Sequence, residues 1–214
     1  MKISKIKEME LLAKNTRRTV SLSQGVPHFY SDAAIRKDVF KAIKANKVDK
    51  YEDPQGLRKL RQLISRMEQN RGAAYSQNEI LVTAGAMEGL MVTLLALFTK
   101  GDEIMIPSPS YVSFFKAAAI ASLTVRNVVL DESSNWSLDI KKLQDLINKK
   151  TRAVLLCHPN NPTGTVYSPE TLEKICRLTE AYNLTLIVDE VYEHIYFGKI
   201  ALYHPHQRNR FKKR

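Results

Sequence analysis

Four short stretches of this chain carry side chains that could act together on one small ligand: Ala84-Gly85-Ala86-Met87, the PSPSY run ending at Tyr111, His158 to Gly164 (HPNNPTG), and Asp189-Glu190-Val191-Tyr192. Gly85 and Ala86 carry little or no side chain, so their backbone can approach an anion closely. A helix opening there leaves its first N–H groups unpaired and available to a phosphate. Tyr111 offers an aromatic face on which a planar ring can stack. Asn161, in a turn fixed by Pro162, and the phenol of Tyr192 can both donate to a ring oxygen. The Asp189 carboxylate can pair with a protonated ring nitrogen; an opposite charge that close shifts a pKa by roughly 1–3 units toward the charged form. The set suits a phosphorylated aromatic cation whose protonated ring acts as an electron sink.

The intervening sequence supplies the elements that would position these groups. Short apolar runs at 79–83 (EILVT), 103–106 (EIMI), 124–130, 153–157 (AVLLC) and 184–188 (LTLIV) read as strands. Between them, 87–98, 112–121, 138–149 and 169–182 read as helices. Apolar strands alternating with helices predict an α/β fold of three layers, αβα, with a mainly parallel sheet covered on both faces. In such sheets ligands bind beyond the carboxyl ends of the strands, and each of the four stretches follows one of these runs. Upstream, 33–45 reads as a helix with Ile35, Val39 and Ile43 on one face. Residues 54–71 form another, with Leu57, Leu60, Leu63, Ile64 and Met67 spaced for burial. The organisation expected is an N-terminal arm and helix over 1–50, a ligand-binding domain over 51–203, and a basic, disordered tail over 204–214.

Bulk properties narrow the classes. The 214 residues, 44% hydrophobic, suffice for one domain with a core plus an arm. Two cysteines, Cys157 and Cys176, are too few for a disulfide scaffold and suit a reducing, cytoplasmic setting. No secretory h-region is visible near the N-terminus, and the longest apolar stretch, Ala84 to Phe98, is too short to span a bilayer. The formal net charge is +11, but Arg208, Arg210, Lys212, Lys213 and Arg214 crowd the last seven residues. With no aromatic–basic interleaving and no DNA-reading motif, a solvated end is expected rather than a specific nucleic-acid site. His204-Pro-His206 has no partner cluster, so no metal site is expected.

Taken singly, each stretch has a plainer explanation. Gly85 to Gly89 could be close helix packing, Tyr111 a core aromatic, Asn161 to Gly164 only a turn, and Asp189 a helix cap. Their order along the chain is more specific. VTAGAMEGL, PSPSY, HPNNPTG and VDEVYEH, preceded by LSQGVPHF and YEDPQGLRKLR, resemble the class I/II aminotransferases of fold type I over nearly all of residues 20–198. The resemblance implies pyridoxal 5′-phosphate (PLP) as cofactor, an amino acid and a 2-oxo acid as substrates, and a homodimer. It places Gly85, Ala86 and Met87 in the phosphate-binding turn, Tyr111 against the cofactor ring, Asn161 and Tyr192 on the ring O3′, and Asp189 on the pyridine nitrogen. Gly25 would lie beside the substrate carboxylate, and Tyr51 would reach the partner's phosphate. One departure is Met87, where many relatives carry a hydroxyl or lysine side chain; only its backbone N–H would contribute.

The same resemblance implies a lysine that forms the Schiff base, in a Ser-x-Ser-Lys-like segment after DEVYEH. Nothing after Tyr196 resembles it; Lys199 is too early and lacks the context. The expectation is therefore the front half of such an enzyme, without its own catalytic lysine and inactive alone. The family sheet runs 3-2-4-5-6-7-1, and this chain would supply strands 1 to 5. EILVT would then lack a neighbour across a gap on the order of 14 Å, the fifth strand would expose an edge, and the isolated chain would fold poorly. Two alternatives stand beside transamination: an inert aminotransferase-like interaction module, and other PLP chemistry such as β-lyase or synthase activity on the same fold.

Overall fold

In the computed structural model, residues 5–20, 25, 29–73, 75–198 and 202–205 are described. The chain divides into two compact units, Met1–Tyr51 and Glu52–Arg214. The first holds α1 (Lys5–Lys14) and α2 (Ala33–Lys44). Asp32 caps α2 by accepting from the Ala34 N–H at 2.7 Å. The stripe expected on α2 is present, but Ile35, Val39 and Ile43 are all exposed.

The second unit is built on α3 (Arg58–Asn70), α4 (Ala86–Leu97), β1 (Glu103–Ser108), α5 (Val112–Ile120), β2 (Thr124–Val129), α6 (Ile140–Asp145), β3 (Thr151–Cys157), α7 (Pro169–Ala181) and β4 (Thr185–Asp189). The four strands form one sheet in the order β2-β1-β3-β4, and every pairing is parallel. The alternation of β3 shows why its 153–157 run is wholly apolar. Ala153, Leu155 and Cys157 join a core with Leu90 and Leu94 of α4 and Phe114 and Ala117 of α5. Val154 and Leu156 join a second core with Leu143 of α6 and Leu172 and Ile175 of α7. The sheet is thus covered on both faces, the three-layer αβα arrangement expected of alternating strands and helices.

Three elements differ from the sequence expectation. EILVT is not a strand: Gln77–Glu79 is a turn of 3-10 helix, and 80–83 is extended without a ladder partner among the described residues. Its tie across to another segment is the Val82 N–H donating to the Gln55 carbonyl at 3.0 Å. The aliphatic run has strand composition, but a strand also needs a neighbour, and the sheet does not extend to it. On α3, Leu57, Leu60, Leu63 and Met67 are exposed, whereas Arg61 and Ser65 are buried; polar contacts, not the apolar stripe, set which face is covered. The helix expected over 138–149 is only Ile140–Asp145. Asn148 ends it, because its side chain accepts from the Lys150 N–H and its own N–H donates to Thr151 Oγ1. Beyond β4, His204 and Pro205 are buried, and His204 Nδ1 lies 2.7 Å from Glu190 Oε1. The remainder of the expected tail, 206–214, lies outside the described residues, as does the loop around Gly25. No helix among the described residues is long and apolar enough to cross a membrane.

Candidate functional site

The loops that follow β1, β3 and β4 meet where the strand order reverses, between β1 and β3, the usual place for a ligand in an open parallel sheet. After β1, Tyr111 sits just before α5, its ring edge-on to Phe114 with centroids 5.6 Å apart. After β3 come Asn160 and Asn161. Asn160 is buried and braces two loops, donating from Nδ2 to the Pro109 carbonyl at 3.2 Å and to Thr163 Oγ1 at 2.8 Å. At the end of β4, Asp189 stands in register with Cys157, and the His158 N–H donates to the Asp189 carbonyl at 2.9 Å. Parallel pairing of β3 with β4 therefore brings the NNPTG turn beside the DEVYEH turn.

A cavity of about 290 Å³ opens at this edge, lined by Ala84, Gly85, Ala86, Met87, Tyr111, Cys157, Asn161, Asp189, Val191 and Tyr192. Seven residues proposed from sequence for one ligand (Gly85, Ala86, Met87, Tyr111, Asn161, Asp189 and Tyr192) are all on its wall. Tyr51 and Gly25 belong to the first unit, and both are exposed. The wall also holds three residues the sequence did not single out as ligand contacts: Ala84, Cys157 and Val191. Their signal was only one of position, since Ala84 and Val191 lie inside two of the four stretches and Cys157 directly precedes a third. Asn160 was overlooked for a related reason: nothing in NNPTG tells which amide faces the ligand and which braces the loop.

The turn before α4 has the form an anion needs. Gly85 is the residue preceding the helix, at φ 87° and ψ 164°, a conformation reserved essentially for glycine. An added Cβ there would meet nothing within 4 Å. The Gly85 N–H turns back to the Thr83 carbonyl at 2.8 Å, so the donors that the helix start leaves unpaired are those that follow, from Ala86 onward. Glu88 reaches back to accept from the Ala84 N–H. Thr83 Oγ1 donates to the Gly85 carbonyl at 3.0 Å.

At the other end, Asn161 Nδ2 donates to the Tyr192 hydroxyl oxygen at 3.0 Å. The phenol's own hydrogen is thereby left to donate elsewhere. Burial, then Cys157, push the Tyr192 pKa up, so it stays a donor at neutral pH. Asp189 accepts from the Val191 N–H at 3.1 Å through Oδ1. Burial raises its pKa, only partly offset by that bond, and Glu190 raises it further. A half-buried carboxylate with a single backbone donor and an upward shift is one that a cation would stabilise. Cys157 is a buried thiol pushed up to about 12, by burial first, and its Sγ lies 3.2 Å from the Pro159 carbonyl. It is protonated at neutral pH and serves as an inert wall. Among the described residues, no lysine lines the cavity.

The sequence matches the family of class I and II aminotransferases over residues 17–210. The chain belongs to this family. It is 35% identical over 200 residues to a probable aspartate aminotransferase of Methanocaldococcus jannaschii, covering 93% of this chain and 52% of that protein. To the aspartate aminotransferase of Thermotoga maritima it is 33% identical over 200 residues, covering 91% and 53% respectively. Its fold superposes on the aspartate aminotransferase of Thermus thermophilus with maleate at a TM-score of 0.90, with 28% identity, over 97% of this chain and 55% of the other. The chain spans about half the length of the curated relatives it matches. Aminotransferases of this family are PLP-dependent, and the donor set of the cavity fits that group. Its wall holds the small residues Ala84, Gly85 and Ala86 at a helix start, the amide and phenol of Asn161 and Tyr192, the Asp189 carboxylate and the aromatic ring of Tyr111.

Proposed function

We propose that this chain is the cofactor-holding half of a PLP-dependent aminotransferase, with amino acids and 2-oxo acids as the substrate classes. The observation that carries this is the convergence of Gly85, Tyr111, Asn161, Asp189 and Tyr192 from four separate loops on one cavity. When bound, PLP supplies the electron sink that lets a bond at the amino acid's α-carbon break. The chain's residues do the holding. The phosphate lies in the turn of Gly85, Ala86 and Met87, where the N–H groups of Ala86 and Met87 donate to it, and Tyr111 lies against the ring. Asn161 and Tyr192 donate to O3′. Asp189 keeps the pyridine nitrogen protonated, and that cation in turn pulls the Asp189 pKa down. Gly25 contributes beside the substrate carboxylate and Tyr51 reaches the phosphate of a dimer partner. The names of the relatives make aspartate the first amino donor to try.

The test is PLP binding by equilibrium dialysis. Expected is saturable binding that weakens in Asp189→Ala, with far-UV circular dichroism unchanged. Binding that is absent, or indifferent to Asp189→Ala, sinks the cofactor reading.

A further inference from the structure

Residues 189–193 divide between two sides. Asp189, Val191 and Tyr192 line the cavity, whereas Glu190 and Glu193 do not. The Glu193 N–H donates to the Glu190 carbonyl at 3.0 Å, so these two residues stand at the first and fourth positions of one turn, with Val191 and Tyr192 between them. On the cavity side, the Val191 N–H donates to Asp189 Oδ1 at 3.1 Å and Asn161 Nδ2 to the Tyr192 hydroxyl at 3.0 Å. Three carboxylates so close in sequence also repel. Burial raises the Asp189 pKa and Glu190 adds to the rise, as neighbouring like charges do.

Two basic side chains from distant parts of the chain meet the outer carboxylates. Arg71, the residue that ends α3, donates from a terminal nitrogen to Glu193 Oε2 at 3.0 Å and to Glu68 Oε1 at 3.4 Å. His204 Nδ1 lies 2.7 Å from Glu190 Oε1, and its Nε2 lies 3.9 Å from Glu193 Oε2. Glu193 Oε1 also faces the exposed His194 at 3.1 Å. The His204 side chain is 9% exposed and that of Glu193 19%, so water and salt screen these contacts less than they screen surface pairs. Neither Arg71 nor His204 lines the cavity.

We propose that Arg71 and His204 are positioning residues for the cavity: by gripping Glu193 and Glu190 they fix both ends of the 190–193 turn from outside, and so set where the Asp189 carboxylate and the Tyr192 phenol stand. That these two groups meet a pyridine nitrogen and a ring oxygen rests on the function proposed above; the grip itself does not.

Two readouts on the full chain separate these. The variants are Arg71→Gln, Glu193→Gln, the two together, and His204→Phe, which keeps a ring and removes both nitrogens. Amide hydrogen exchange is followed without ligand. The Glu193 and Ile195 N–H groups, bonded to the Glu190 and Tyr192 carbonyls, should exchange about 3–10-fold faster in each variant, while β3 and α7 keep their protection. Unchanged exchange there, or an equal rise throughout the second unit, overturns the grip. Affinity is then measured by isothermal titration for two probes. Pyridoxamine 5′-phosphate has the ring nitrogen, ring oxygen and phosphate of PLP, and no aldehyde to react with surface lysines. Benzyl phosphate keeps an aromatic ring and the phosphate but lacks the nitrogen and the ring oxygen. Arg71→Gln and His204→Phe should each weaken the first probe by about 10-fold, the lower end of what losing an outer partner costs a metal site, and the second by less than about twofold. The double variant should lose no more than Arg71→Gln, because both changes break one contact. Equal losses for both probes, or losses that multiply in the double variant, overturn the positioning role. A parent chain that binds pyridoxamine 5′-phosphate no better than benzyl phosphate refutes the cofactor assignment instead, leaving the exchange result to judge the grip.

Discussion

Alanine at Gly85 and alanine at Gly56 probe two glycines with nearly the same φ and opposite surroundings. Gly85 has φ 87° and ψ 164°, and a Cβ there meets no atom within 4 Å. The cost is backbone strain alone, about 1–3 kcal/mol for a conformation essentially confined to glycine. Gly56 has φ +95°, and its Cβ would lie 2.6 Å and 2.8 Å from Val82 Cβ and Cγ2. Both atoms belong to a branched side chain with little freedom. Overpacking therefore adds about 1–3 kcal/mol to the strain. Urea unfolding followed by circular dichroism reads the difference; with a slope of about 2 kcal/mol/M, Gly85→Ala lowers the midpoint by about 0.5–1.5 M. Gly56→Ala lowers it further. In a Val82→Gly background, which removes the Cβ as well as both methyls, the extra loss at Gly56 disappears, while that at Gly85 is unchanged, because only the first pair touches. Equal penalties at the two glycines, with no rescue by Val82→Gly, would refute the close approach of loop 53–56 to residue 82. Gly85→Ala should also weaken PLP binding beyond its effect on stability, since the new methyl stands on the cavity wall.

Three further outcomes follow from the site. Asp189 has a folded pKa raised by burial, so in the ligand-free chain it favours folding only when protonated, and that contribution is lost as pH rises from about 3.9 through the folded value. Asp189→Asn should therefore raise the urea midpoint at pH 7 but not at pH 3.5, while weakening PLP; a destabilised variant at pH 7 would contradict the buried, uncompensated carboxylate. His158 is fully buried, with its pKa lowered by desolvation first. Its neutral form gives stability that is complete above about 6.5 and lost as pH falls toward the folded value, so His158→Phe should flatten the acid side of the stability profile between pH 7 and 5. Asn160→Ala leaves the Pro109 carbonyl without its donor and should cost about 1–3 kcal/mol. It should also loosen the loop carrying Tyr111, visible as a change in near-UV circular dichroism with the far-UV signal retained.

The residues on the cavity wall were legible from sequence because each lies just past an apolar run, and in a parallel sheet the ends of such runs converge. That inference needs only local composition and a general rule of topology. EILVT exposes the limit of the same logic. Its aliphatic residues have strand character wherever they stand, but ladder membership depends on which strands lie alongside; the resemblance implied that its neighbour would be missing, and among the described residues none pairs with it. Helix α3 failed in the opposite sense. Its apolar spacing is helical, yet Leu57, Leu60 and Leu63 face outward while Arg61 is enclosed. A buried guanidinium is tolerated because Asp53, Gln55, Gly56 and Gln77 all accept from it. Those acceptors come from two loops on either side of the helix, and no periodicity in 58–70 announces them.

The cavity is consequently two half-sites joined by different physics. The half that would face a cofactor ring is carried on β1, β3 and β4 and cross-braced by Asn160 and by the Asn161–Tyr192 hydrogen bond. Its geometry is inherited from a sheet buried on both faces, so it resists distortion as the core does. The half that would face a phosphate is carried on the turn that opens α4, whose approach is tied to the loop 53–56 by the Val82 N–H and the Gly56 contact. A ligand that touches both halves therefore acts as a tie between them. It gains affinity to the extent that both halves are already placed, because a preplaced site spares the ordering cost that binding would otherwise bear.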